Sequence, residues 1–234
     1  MKIAMWSGPR NLSTAMMYAF AARGDCAVWD EPFYAAWLSA TGSDHPMAAE
    51  IVARHEADPA RVAAALAAAP PDECAHRYAK HMPHHMLPDF PLDWAETWVH
   101  AHLIRHPARV LASYAAKRDA VSFDEIGYAR QAELFDRFPG PVIDSTDIRR
   151  DPSAMLGRLC AEIGLPFTEA MLSWPAGPKP FDGHWAGHWY GAVHRSTGFA
   201  GAEGPLPPVA PEHRALYVRA LPIYEALAAQ AIRA

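Results

Sequence analysis

The sequence predicts an α/β fold of three layers: a mainly parallel sheet with helices on both faces, followed by an irregular C-terminal lid and a closing helix. Three observations carry that expectation. Short apolar runs alternate with stretches of helical spacing, the pattern of a parallel sheet covered on both sides. Two of the runs pass directly into helix starts, one through a glycine turn at Gly8 and one through Arg105-His106-Pro107. The composition, 51% hydrophobic and 20% charged over 234 residues, suffices to fill one sizeable core, so a single domain over 1–234 is expected.

In chain order, the apolar run at 2–6 gives the first strand, and the alanine- and methionine-rich pattern at 11–23 the first helix. A second strand is expected at 26–30, with helices at 46–56 and 60–69. Strands at 75–80 and 98–104 follow, then helices at 107–118 and 123–138, a strand at 141–144 and a helix at 152–163. The last helix, 211–232, repeats Leu216, Ala220, Ile223, Leu227 and Ala231 at helical spacing, a core-packing stripe that Pro222 should kink. Residues from about 175 to 208 are different: prolines and glycines punctuate Trp185, Trp189 and Tyr190. A long irregular segment in a compact domain is a lid or is disordered, and the aromatic content favours the lid.

Composition excludes several classes. A formal net charge of -5, with no basic run, gives no general attraction to nucleic acid or an acidic membrane. Three cysteines, Cys26, Cys74 and Cys160, lie far apart and form neither a disulfide framework nor a Cys-x-x-Cys zinc pair, which fits a reducing cytoplasm. The run Met1–Trp6 is too short for a signal peptide and no stretch approaches membrane-spanning length, so a soluble, unprocessed cytoplasmic protein is expected.

Two stretches read as halves of one phosphate clamp. The first is Met5-Trp6-Ser7-Gly8-Pro9-Arg10-Asn11-Leu12-Ser13-Thr14; the second is Leu103-Ile104-Arg105-His106-Pro107, with Ser113 eight residues after Arg105. A turn feeding a helix start aims backbone N–H groups and the positive end of the helix dipole at an anion, and hydroxyls and a guanidinium complete the site. Two such elements point to a ligand with phosphates at both ends. Against G-x-x-x-x-G-K-[ST], counted from Gly8, Ser13 replaces the second glycine and Thr14 the lysine, so a kinase or ATPase loses its central cation. The plainer reading of the first stretch is a capped helix, with Asn11 or Ser13 satisfying the first N–H groups and Arg10 solvated.

These residues resemble a known family. Ser7 to Thr14 is similar to the 5'-phosphosulfate loop of the sulfotransferases, and Arg105 with Ser113 to their 3'-phosphate motif. Lys80-His81-Met82-Pro83 resembles the lysine, histidine and proline stretch of cytosolic members, and Asp30-Glu31-Pro32-Phe33 the acidic element of bacterial ones. The segment from Asp182 through Trp189-Tyr190 to Phe199 resembles a bacterial lid. The resemblance implies the P-loop NTPase-like fold and 3'-phosphoadenosine 5'-phosphosulfate (PAPS) as co-substrate, with no metal required. It also implies donor contacts from Ser7, Gly8, Pro9, Arg10, Asn11, Leu12, Ser13, Thr14, Arg105 and Ser113. Leu12 stands where many members have glycine, Arg10 where cytosolic enzymes have lysine, and the late lysine- and glycine-rich motif is absent; Arg195 is the candidate to replace it.

Sulfuryl transfer needs stabilisation of charge on the leaving phosphate and a base for the acceptor. Arg10, the loop, Ser13 and Thr14 suit the first task, with Lys80 reaching the bridging oxygen. For the second, Glu31 and His81 compete: Glu31 if burial raises its pKa, His81 if imidazole serves as in cytosolic members. Glu31 is preferred, because His81 directly follows Lys80 and is offset by one from the family histidine; the plain alternative for Glu31 is a salt-bridged loop carboxylate. The 13 histidines include His81, His84 and His85, and His184 with His188, but no carboxylate completes a His-Glu-x-x-His motif. Gly-x-Ser-x-Gly is missing. Trp185, Trp189 and Tyr190 read first as lid packing, with an adenine face as a further use. Three classes therefore stand: a sulfotransferase acting on a small-molecule acceptor, a P-loop kinase, or a non-catalytic nucleotide-binding protein. The acceptor wall is expected from residues 33–60, where Phe33, Tyr34, Trp37 and Leu38 are apolar, and from the lid.

Overall fold

A computed structural model describes residues 1–69, 74–115 and 121–233. Strands β1 (Lys2–Ser7), β2 (Cys26–Asp30), β3 (His76–His81), β4 (Val99–Ile104) and β5 (Val142–Asp144) form one sheet in the order β2-β3-β1-β4-β5, with every pairing parallel. Each falls within two residues of its expected run. β1 is central because its residues are apolar on both faces: Ile3, Ala4, Met5 and Trp6 are all buried. A strand apolar throughout needs cover on both sides of the sheet.

That cover comes from helices. α1 (Ser13–Ala22) packs on β2 and β3; α2 (Tyr34–Thr41), α3 (Ala48–Arg54) and α4 (Pro59–Ala67) follow β2. α5 (Pro107–Ala115) follows β4, then come α6 (Tyr128–Arg137), α7 (Ser145–Arg150) and α8 (Pro152–Ile163), the last against β4. Several starts are fixed by local chemistry. Asp58 and Asp151 accept hydrogen bonds from Ala60 N and Ala154 N, each just before a proline in the first turn, and Asp144 caps α7 by accepting from Thr146 N. In the lid lie the single turns α9 (Ala186–Trp189) and α10 (Gly191–His194); α11 (Arg214–Ala228) closes the chain against α5, α6, β4 and β5. Its stripe is as expected: Ala220 and Leu227 are buried, with Leu216, Ile223 and Ala231 packed beside them, and Pro222 lies within the helix.

The departures have physical causes. α2 was not expected because Tyr34-Ala35-Ala36-Trp37-Leu38 is buried all round and so has no polar face to reveal a period. α7 was missed because it is a six-residue helix directly abutting α8. α6 starts at Tyr128 rather than 123 because Gly127, at φ 75, sets the turn before it. The final helix is preceded by a 3₁₀ turn at Pro211–His213. The last residues of the helix expected at 107–118, from 116 on, lie outside the described residues.

Residues 175–208 do form an irregular cover. It is pinned at Asp182, whose carboxylate accepts from Tyr18 Oη at 2.8 Å and Lys179 N at 2.8 Å and pairs with His194 Nε2 at 3.0 Å. It is pinned again by Gly183 N, which donates to Asp30 Oδ2 at 3.1 Å. A Cβ on Gly183 would sit 2.2 Å from the Trp185 ring, so the close approach requires glycine. Trp185 and Tyr190 are buried, as lid packing predicts.

Candidate functional site

The carboxyl ends of the five strands open onto one cavity of about 300 Å³. The residues next after them line it: Pro9 and Arg10 after β1, Glu31 after β2, Met82 after β3, Arg105 after β4 and Ser145 after β5. This is where open parallel sheets bind ligands, since helix N-termini gather there and the chain leaves β1 to either side.

The two stretches expected to form a phosphate clamp meet in this cavity. Arg105 Nη1 donates to the Arg10 carbonyl at 2.6 Å, and Arg10 Nε donates to Ser113 Oγ at 2.9 Å. Pro9, Arg10, Asn11, Leu12, Ser13, Thr14, Arg105 and Ser113 all line it. α1 has no side-chain cap and no acidic residue in its first turn. Asn11 turns away from the helix and donates to the Leu103 carbonyl at 3.3 Å, so the capped-helix reading does not hold. Among the described residues no side chain caps this ten-residue helix, so its first N–H groups and its dipole face the cavity.

The loop is strained where it turns. Arg10 at φ 64, Leu12 at φ 76 and Glu31 at φ 43 are non-glycine residues in the left-handed region, and all three line the cavity. Leu12 thus holds a left-handed conformation that glycine adopts without steric cost. Ser7 and Gly8 lie behind the loop: Ser7 is buried, and a Cβ on Gly8 would press 3.0 Å from the Ile126 carbonyl, so both shape the turn from beneath.

Beside the loop sits a buried charge cluster. Lys80 is 0% exposed; its ammonium lies 2.8 Å from Asp30 Oδ1 and 2.8 Å from Glu31 Oε1, and it donates to Tyr190 Oη in a short hydrogen bond. Tyr190 in turn donates to Asp30 at 2.7 Å and accepts from Trp185 Nε1 at 3.0 Å. Burial by itself would push the Lys80 ammonium down, but Asp30 and Glu31 outweigh it and hold its pKa above the ordinary lysine value. Glu31 is held above the ordinary glutamate value by burial, reinforced by the Asp30 charge and opposed by Lys80. Lys80 lines the cavity, with its three N–H donors directed to Asp30, Glu31 and the lid tyrosine.

His81 requires a correction. It neighbours Lys80 on β3 and so faces the other side of the sheet. There it is 1% exposed, stacked against Trp94 at 4.9 Å and Trp6 at 4.7 Å, outside the cavity lining. Burial, aided by His100, pushes its pKa down to about 3, and its Nε2 has no partner among the described residues. An imidazole so placed cannot reach an acceptor. Arg195, expected to serve the 3'-phosphate, is exposed and also outside the lining.

Sequence reasoning missed His45 and Tyr114 among the lining residues. Tyr34 Oη lies 2.8 Å from His45 Nδ1, and His45 Nε2 3.2 Å from Glu125 Oε1. The Tyr34 ring stacks on His85 at 4.5 Å, and His85 Nδ1 stands 3.8 Å from Glu31 Oε2. Trp189 and Tyr114 line the same cavity and add to this aromatic set. Of the expected wall residues, Tyr34 reaches the cavity, while Phe33, Trp37 and Leu38 pack in the core behind it. Arg149 also lines the cavity, from α7. Its signal was legible: Asp144-Ser145-Thr146, then Arg149, is a third strand-to-helix passage with hydroxyls and a guanidinium. Among the described residues, no three His, Cys, Asp or Glu side chains gather as metal ligands, and no helix is long and apolar enough to cross a membrane.

A family model described as a sulfotransferase domain matches residues 1–231. The chain belongs to the sulfotransferase domain family. This sulfotransferase-domain chain aligns structurally with a sulfotransferase domain from the curacin biosynthetic pathway, at TM-score 0.52 and 14% identity, covering 93% of this chain and 96% of that one. At that identity the likeness shows the fold alone, a parallel sheet flanked by helices. Two Arabidopsis thaliana proteins, branched-chain-amino-acid aminotransferase-like proteins 2 and 1, are 37% and 38% identical to it over 231 residues, each match covering 96% of the chain. The chain spans about 41% of the length of these two relatives.

Proposed function

We propose that this sulfotransferase-domain protein transfers a sulfuryl group from 3'-phosphoadenosine 5'-phosphosulfate to a hydroxyl or amine of a small-molecule acceptor. One observation carries the reading: the uncapped start of α1, Arg10, Arg105 and Ser113 converge on a cavity that also holds a buried carboxylate of raised pKa. The residues present fit such a donor. Arg105 Nε and Ser145 Oγ are buried polar atoms with no partner among the described residues, which is what donors meant for an anion leave behind.

When bound, the donor supplies an activated sulfuryl group on a phosphate leaving group. Arg10, the α1 N–H groups, Ser13 and Thr14 offset negative charge at the mouth of the loop. Arg105 and Ser113 hold the far end. Glu31, its Oε1 held by Lys80, keeps Oε2 available to take the acceptor proton, and its raised pKa suits a base working near neutrality. Tyr34, His45, His85, Tyr114 and Trp189 give the acceptor an aromatic wall, and Tyr190 ties the lid to the same charge cluster.

A thermal-shift comparison tests this. 3'-Phosphoadenosine 5'-phosphate at about a hundred times its Kd should stabilise the fold by about 2.7 kcal/mol, while AMP, ADP and ATP at the same concentration do much less. Stabilisation by ATP with Mg²⁺ and not by the bisphosphate overturns the reading in favour of a kinase. Bisphosphate binding without transfer to any hydroxyl or amine leaves a non-catalytic nucleotide-binding protein.

A further inference from the structure

The arginine of the 3'-phosphate motif already has an anionic partner. Glu203, beyond the lid helices, projects its carboxylate between α5 and α7 with its side chain 2% exposed. Its Oε1 accepts from Arg105 Nη2 in a short hydrogen bond and from Arg149 Nη1 at 2.9 Å; its Oε2 accepts from Thr146 Oγ1 at 3.0 Å and lies 3.0 Å from Arg109 Nε. Three guanidiniums and a hydroxyl around two oxygens form a phosphate-like cage. Against three positive charges Glu203 brings one negative, a deficit that a phosphate dianion answers better.

The segment bearing Glu203 is held by the cage itself. Among the described residues, the main chain from 200 to 209 neither donates nor accepts a hydrogen bond with another main-chain group; the next such bond, from His213 N to the Ala210 carbonyl, lies just beyond it. Its polar ties run through the same arginines: Arg149 Nε donates to the Gly201 carbonyl at 2.8 Å, and Arg109 Nη2 to the Gly204 carbonyl at 2.6 Å. Gly201 and Gly204 flank Glu203, and no atom stands within 4 Å of a Cβ built on either. Whatever takes the guanidiniums therefore loosens the segment.

We propose that Glu203 is a tethered competitor for the 3'-phosphate, a specificity-determining carboxylate that only a ligand bringing a phosphate to Arg105 and Arg149 displaces. The proposal rests on the donor assignment above. Its consequence is selectivity: nucleotides lacking a 3'-phosphate leave Glu203 in place and gain nothing from the cage.

The test titrates the full chain and Glu203→Gln with adenosine 3',5'-bisphosphate, 5'-AMP and inorganic phosphate. If the carboxylate holds the cage at least nine-tenths of the time, removing its charge tightens bisphosphate binding about tenfold or more. AMP affinity stays within twofold. Equal or weaker bisphosphate binding by the variant overturns the proposal, showing that Glu203 positions the arginines instead. If neither protein binds either nucleotide, the donor assignment fails by itself, and inorganic phosphate decides the competitor: tighter binding to the variant upholds it and equal binding overturns it. A wild-type measurement guards against a poorly folded variant. A glutamate-specific endoprotease should cut after Glu203 at least several-fold faster with saturating bisphosphate and no faster with AMP; unchanged or slower cutting with bisphosphate overturns the proposal.

Discussion

Replacing Lys80 by Met should turn the best-buried charge cluster of this fold into its weakest point. The side chain is 0% exposed, and its ammonium lies 2.8 Å from each of two carboxylates, Asp30 at 1% and Glu31 at 7% side-chain exposure. Lys80→Met keeps the volume and removes the charge, stranding two buried anions. Breaking a buried pair from one side costs about 3–5 kcal/mol, and a chain of this size loses roughly 2–4 °C of Tm per kcal/mol, giving a fall of about 6–20 °C. The deficit must depend on pH. Without Lys80, Glu31, already raised by burial, acquires a folded-state pKa further above its unfolded one. Groups raised in this way contribute stability below the unfolded carboxylate pKa, and that contribution is lost as pH rises through the folded value. The melting deficit against wild type, followed by circular dichroism, should be small at pH 5 and full at pH 8. A deficit below about 2 °C at pH 8, or one equal at both pH values, would refute the reasoning.

Three further outcomes are expected. Glu31→Gln should lower sulfuryl transfer at least about a hundredfold with bisphosphate affinity near wild type; the acid limb of the wild-type rate profile should lie above the ordinary glutamate value of about 4.3, because the base works only once deprotonated and burial raises that threshold. Ser113→Ala, which strips Arg10 Nε of its partner, and Arg105→Gln should each weaken the bisphosphate about tenfold or more and AMP far less; calorimetry showing equal losses for both ligands counts against their role. His81→Phe should leave turnover within about threefold, since the ring packs among Trp6, Trp94 and Phe33 and its Nε2 bonds to nothing among the described residues. A hundredfold loss of turnover in a well-folded His81→Phe protein would restore the imidazole to the chemistry.

Much of this architecture is written in short-range pattern. A strand such as β1 is legible because a short, almost wholly apolar run between turns has no other way to be buried, and the two clamps because Arg105 and Ser113 carry their spacing within one strand-to-helix unit. The same local logic hid α2, whose residues are apolar on every side, and α7, too short to show a period. Long-range pairings stayed invisible. Glu203 meets Arg105 across 98 positions and Tyr190 meets Asp30 across 160, and nothing in either segment alone announces its partner. Arg195 was expected at the phosphate for its position in the lid, but α10 ends beside it and leaves it in solvent, while Arg149 reaches the cavity from α7, after β5.

The parity of β3 ties sheet assembly to function. Met5 pairs with Lys80 and Trp6 with His81, so sliding β3 by a single position would drive an ammonium among tryptophans and lift an imidazole into the mouth of the cavity. Stranding that cation away from Asp30 and Glu31 costs several kcal/mol, far more than a misaligned ladder of main-chain bonds would. The charged side chains that equip the cavity thereby also act as the proofreading device that locks the sheet in frame.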